Sequence, residues 1–211
     1  MAIQPTKQIQ EALKSSTRSK KTKENEKLAN DWLKTKARIA SKENKQRRTK
    51  RRDKLLGDEA KAVSDAKSGM MYLFSYDAKH KDTLPYWDFH PVIFPLEIKG
   101  NTMLGLNMHY LPPRLRAILM DAILDLPRYK TDKQRAQMSY DIVRAFSASD
   151  LVKPTIHKYL SNHIVSQTIE IPREEWVWVA FLPLADFRTE SKNGNSSLSR
   201  VYADSKRKAS S

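Results

Sequence analysis

Between residues 70 and 111 the chain runs as short apolar stretches punctuated by turn residues, the pattern of strands rather than helices. Residues 70–76 (MMYLFSY) are strongly β-prone, and Tyr72, Phe74 and Tyr76 share one face. Residues 91–99 (PVIFPLEIK) predict a second strand, interrupted or confined to an edge by Pro95, which has no N–H for a ladder bond. Gly100-Asn101 is a turn, and residues 102–111 (TMLGLNMHYL) predict a third strand, closing a hairpin. Residues 77–88, ending in Tyr86-Trp87-Asp88, read as a loop packed onto the sheet.

The period then changes. Pro112-Pro113 opens a helix, since first-turn N–H groups have no intrahelical partner to lose. Leu115, Leu119, Ala122, Ile123 and Leu126 form its buried stripe. A second helix starts at Thr131 or Asp132 and runs through Phe146, with Met138, Ile142, Ala145 and Phe146 inward, and a third is expected over about 153–165. Residues 168–171 and 176–182 (WVWVAFL) return to strand, and 183–188 form a terminal turn. Hairpin-paired strands, grouped helices and two further strands predict an α+β domain: a small antiparallel sheet or half-barrel covered by helices.

Residues 1–67 lack this patterning. Their large apolar side chains are few, chiefly Ile9, Leu13, Leu28, Trp32, Leu33, Ile39, Leu55 and Leu56, too sparse for a core. The Ala, Lys, Glu, Arg and Gln alphabet nevertheless favours helix, near 6–15 and 24–55. Leu28 and Trp32, one turn apart, are candidates for docking this arm on a protein partner. Three segments follow: a basic helical arm (1–67), a compact domain (68–189) and a polar basic tail (190–211).

Charge sharpens that division. Of the net +15, residues 1–67 hold +11, from 20 Lys/Arg against 9 Asp/Glu, whereas residues 68–189 hold only +1. The densest block is Lys45, Arg47, Arg48, Lys50, Arg51 and Arg52. On a helix it is positive all round, which suits sequence-blind, salt-sensitive neutralisation of DNA phosphates. The same block would suit an acidic protein surface. The absence of cysteine excludes disulfides, thiolate metal sites and cysteine nucleophiles. No apolar run is long enough for a membrane span or a secretory signal, so a cytoplasmic protein without membrane contact is expected.

Candidate chemistry is thin. Asp88, Glu97 and Lys99 superficially match the Asp…Glu-x-Lys set of metal-dependent nucleases, with Glu97 and Lys99 on one strand face. The alternative is a solvent-facing hairpin strand. His80, His90, His109, His157 and His163 lack the spacing of a preformed metal site, and Asn107-x-His109 places two polar groups on one face. Five glycines leave no phosphate-cradling loop. The aromatics of residues 72–110 could stack single-stranded bases, but few cations lie beside them in sequence, and core packing is the expected use. No enzyme activity, cofactor or metal is expected.

Three stretches, 71–126, 138–160 and 176–187, resemble virion proteins of tailed bacteriophages with large, T4-like genomes, especially marine ones. Leu84-Pro85-Tyr86-Trp87-Asp88 followed by Gly105-Leu106-Asn107-x-His109-Tyr110-Leu111-Pro112 is the most specific part. The resemblance is to the DNA end protector type, which sits at the portal and binds genome termini. It implies a structural role, DNA and other virion proteins as partners, and a life in the host bacterial cytoplasm and then the virion. It carries no catalytic residues. A baseplate, neck or tail subunit, with the arm embedded among acidic neighbours, is the other structural reading.

Overall fold

A six-stranded antiparallel sheet organises the computed structural model, which describes residues 62–63, 65–124, 126, 130–181, 185–189 and 196–211. The residues proposed for DNA contact (Lys45, Arg47, Arg48, Lys50, Arg51, Arg52) and for protein docking (Leu28, Trp32) lie outside the described residues.

The strands are β1 (Ala62–Val63), β2 (Met71–Leu73), β4 (Val92–Lys99), β5 (Thr102–Asn107), β6 (Ile156–Leu160) and β7 (Thr168–Ile171), in the order β1-β7-β2-β4-β5-β6. A separate two-stranded ribbon pairs β3 (Trp87–Asp88) with β8 (Phe187–Arg188). The helices are α1 (Pro113–Leu124), α2 (Asp132–Ser147), α3 (Trp176–Phe181) and α4 (Leu198–Ser210). The class is α+β, with an open sheet.

Both sheet faces are buried, which the period-two alternation of the strands makes possible. Met71, Leu73, Val92, Phe94 and Leu106 point to one side, where they pack with Leu119 of α1, Phe146 of α2 and Trp176 of α3. Tyr72, Phe74, Ile93 and Met103 point to the other, together with Tyr76, Trp87 and Tyr159. The aromatic run is therefore core, as expected. Phe74, Tyr76 and Tyr159 meet edge to face with centroids 5.0 to 6.4 Å apart.

Local signals explain much of the rest. Beyond Ile93, β4 pairs only with β5, and its register shifts between Pro95 and Glu97, so the proline occupies an edge. At the start of α2, the Thr131 hydroxyl accepts from the Gln134 amide while the Gln134 side chain accepts from the Thr131 amide, a capping box.

Several elements differ from expectation; β3 and β8 fall in stretches read as a loop and a terminal turn. Residues 153–165 are not a helix: 3₁₀ turns at Lys153–Thr155 and Ser161–His163 flank β6, which runs along β5 from Ile156 to Leu160. A free sheet edge and β-prone Ile156 and Tyr159 outweigh the helical spacing. Residues 176–181 are helix, not strand, and Trp176, Val179 and Ala180 at i, i+3, i+4 are buried. A short apolar run fits both periods, and packing decides. Within the segment read as a polar tail, α4 docks Val201 and Ser205 into the domain, capped by the Ser197 hydroxyl.

Gly69 makes the tightest approach. Its φ is +83°, and a Cβ there would sit 2.0 Å from the Ala136 carbonyl oxygen of α2. Gly100, with φ +53° in the β4–β5 turn, has open space around it. Gly69→Ala should therefore cost about 3 kcal/mol or more, and Gly100→Ala only about 1 kcal/mol. Urea midpoints of the two variants check this. Equal losses would mean that α2 does not press on the 69 turn.

Candidate functional site

Beside the second sheet face lies an open cleft of about 540 Å³. Its floor and walls are aromatic and apolar: Tyr76 and Ala78 after β2, Tyr86 and Trp87 at the ribbon, Tyr110 after β5, and Tyr159 of β6. Exposed Lys79, His80, Lys158 and Lys208 also line it, brought from three separate parts of the chain. The one acid in the lining is Asp88, which is 3% exposed and turned into a hydrogen-bond network.

That network fixes the cleft's back wall. Asp88 Oδ2 accepts from His109 Nδ1 at 2.7 Å and from Asn107 Nδ2 at 3.0 Å. Its Oδ1 accepts from the amides of His90 (3.2 Å) and Asp186 (3.4 Å). Burial works to raise the Asp88 carboxyl. The His109 charge and the bonds from His109, Asn107 and the Asp186 amide outweigh it and hold the group below its ordinary value. Asn107 also donates to the Tyr159 hydroxyl at 3.0 Å, and its side-chain oxygen takes the His109 amide at 2.8 Å. That last bond turns the backbone at Asn107, so β5 ends there rather than at Leu111.

A second buried charge locks the outer helices. The Arg116 guanidinium, 6% exposed, donates to the carbonyls of Leu111 (2.7 Å), Ala180 (3.0 Å) and His109 (2.9 Å) and to the Tyr202 hydroxyl (2.6 Å). It thereby ties α1 to α3 and α4. Tyr86 donates to Asp204 of α4 at 3.2 Å, and burial pushes the Tyr86 phenol up to about 12. Tyr86, Tyr110, Phe187 and Val201 pack together beneath that contact. Residues 198–210 thus form one wall of the cleft, placing Ser205 and Lys208 on it.

Two wall side chains carry nitrogens without a partner among the described residues, Trp87 Nε1 and His157 Nε2. Burial, aided by the charge of Lys208 and opposed by that of Asp88, lowers His157 to about 4, so the ring is neutral at physiological pH. Its ring centroid lies 4.1 Å from that of Tyr110.

A family model described as the phage T4 terminal DNA protecting protein matches residues 1–205. The chain belongs to that family. No curated protein and no solved structure matches it. The resemblance of residues 71–187 to an end-protector family thus holds over nearly the whole chain, the basic arm included.

In this member of the terminal DNA protecting family the Asp88, Glu97 and Lys99 set is not assembled. Asp88 is sealed inside, whereas Glu97 and Lys99 pair with each other at 3.2 Å on the exposed end of β4. Among the described residues no three His, Asp or Glu side chains cluster as a metal would require. No described helix is long and apolar enough to cross a membrane. His90 meets Ser75 Oγ at 3.2 Å and His163 meets the Asp77 carbonyl at 2.9 Å. Asn107-x-His109, seen in the sequence as two polar groups on one face, is the core of the network. Arg116 gave no such signal, being one of two arginines near the start of a mostly apolar helix.

Two outcomes follow from the buried groups. Asp88→Ala strands the His109 side chain and should cost about 3–5 kcal/mol, while His109→Ala and the double variant should cost less than the sum of the separate losses. Denaturant unfolding of the four proteins measures the coupling, and strict additivity would dissolve the pair. Because the folded chain refuses the His157 proton that the unfolded chain accepts below about 6.5, stability is full above that pH and falls by roughly 2–3 kcal/mol as pH drops to about 4. His157→Phe should flatten this part of the pH profile. A profile identical to that of the parent chain would locate the acid sensitivity elsewhere.

Proposed function

We propose that the chain binds the ends of duplex DNA and shields them by occupancy, with no chemical step of its own. The family match, which takes in both arm and domain, carries this reading. Supporting it, +11 of charge lies on a coreless segment. Lys45, Arg47, Arg48, Lys50, Arg51 and Arg52 neutralise backbone phosphates without reading bases. Protection of an end demands a long-lived complex, and several phosphate contacts near the terminus lengthen its life. The folded domain holds the end and meets the neighbouring virion proteins. The protein acts in the bacterial cytoplasm during assembly and then within the virion, and needs neither cofactor nor metal.

Counterion release makes the arm's part measurable. In the full chain, substitution of all six cations by glutamine should reduce the slope of log affinity against log salt by about 5, and should shorten the survival of a linear duplex against an exonuclease. Salt titration of binding to one linear duplex gives the slope. An unchanged slope would reassign the arm to an acidic protein surface, as in a baseplate, neck or tail subunit.

A further inference from the structure

The cleft is built for one ligand part that is flat and apolar and another that is anionic. The flat part has Tyr76, Tyr86, Trp87, Tyr110 and Tyr159 around it. The anionic part has Lys79, Lys158 and Lys208, none of which forms an ion pair among the described residues, and no exposed acid lines the cleft to repel it. Trp87 is 9% exposed, yet among the described residues its indole N–H has no acceptor, and the neutral His157 ring likewise leaves a nitrogen unpaired. Buried polar groups are rarely left so unless something else completes them.

We propose that this cleft takes the frayed terminal nucleotide of a DNA strand, its base against the aromatic wall and its phosphate on Lys79, Lys158 and Lys208. The inference rests on the end-binding reading and gives that reading its selectivity. A nucleotide has the required division into a π-face and a phosphate, and about 540 Å³ is the scale of pockets that enclose small ligands. The arm grips any duplex. Only an end offers a base that can leave the stack without breaking the helix on both sides, because unpairing is cheapest where one neighbour is missing. A closed circle has no such base. An acidic peptide would meet the lysines but leave the aromatic wall unused.

The test uses the full chain and two duplexes of equal length, one linear with free ends and one ligated into a closed circle, with 2-aminopurine at a terminal or a central pair of the linear form. Expected results are roughly tenfold tighter binding to the open duplex, the scale of one stacked base, and quenching of the terminal probe alone. Lys158→Gln with Lys208→Gln, both exposed and outside the core, should remove most of the preference for ends while the closed duplex still binds. If the open duplex is preferred but the terminal probe is silent and the double variant keeps the preference, the cleft is not the end site, and the end-binding reading survives. If open and closed duplexes bind alike, both readings fail together. Relief of the terminal quenching by an acidic peptide, without relief by a mononucleotide, would also overturn the nucleotide assignment.

Discussion

A carboxylate removed from water must be surrounded by donors, and Asp88 imposes that demand on four parts of this fold. An ionised carboxylate in a protein interior carries an effective penalty of several kcal/mol. Here it is offset by an imidazole, an amide side chain and two backbone N–H groups. Those donors come from the end of β5, the turn after it, the second residue after β3 and the residue before β8. Once His109 is fixed, its carbonyl is fixed, and Arg116 can use it as one of four acceptors. The guanidinium then holds α3 and α4 in place. The polar interior thus adds a set of constraints to the apolar core that α1 and α3 already share.

The same arrangement explains why the near-neutral composition of the middle segment misleads. Its acid of greatest consequence is turned inward, and lysines stand outward around the cleft. Charges that cancel in a count do not cancel in space. A cleft with low-dielectric walls and cations on its rim concentrates a positive field where its ligand enters. The net +11 of residues 1–67 adds further positive potential.

Much of the architecture was legible in local pattern. The strand alternation of residues 71–76, the Gly100-Asn101 turn, the Leu115–Leu119–Ile123 stripe and the helix start at Thr131 or Asp132 each correspond to an observed feature. Residues 153–165 and 176–182 were misread for opposite reasons. The first has helical spacing but meets a free sheet edge; the second has strand composition but covers a sheet face. Neither outcome is stated locally. The cleft was less legible still, because its wall is drawn from residues 76 to 208. Sequence showed the aromatics crowded together and the lysines few nearby. Lys158 and Lys208 join them only through β6 and α4, the two elements whose placement tertiary contacts decide.

The dependence of the cleft on α4 also sets a timetable during synthesis. The Tyr86–Asp204 and Arg116–Tyr202 bonds join positions 118 and 86 residues apart, so neither can form until the segment around 204 has cleared the ribosome. At usual elongation rates residues 1–67 are complete for roughly ten seconds before that moment. From its own synthesis until that moment, each of Tyr86, Tyr110 and Phe187 lacks the cover that Val201 later provides. Until α4 docks, the nascent chain can therefore clump through these uncovered aromatics.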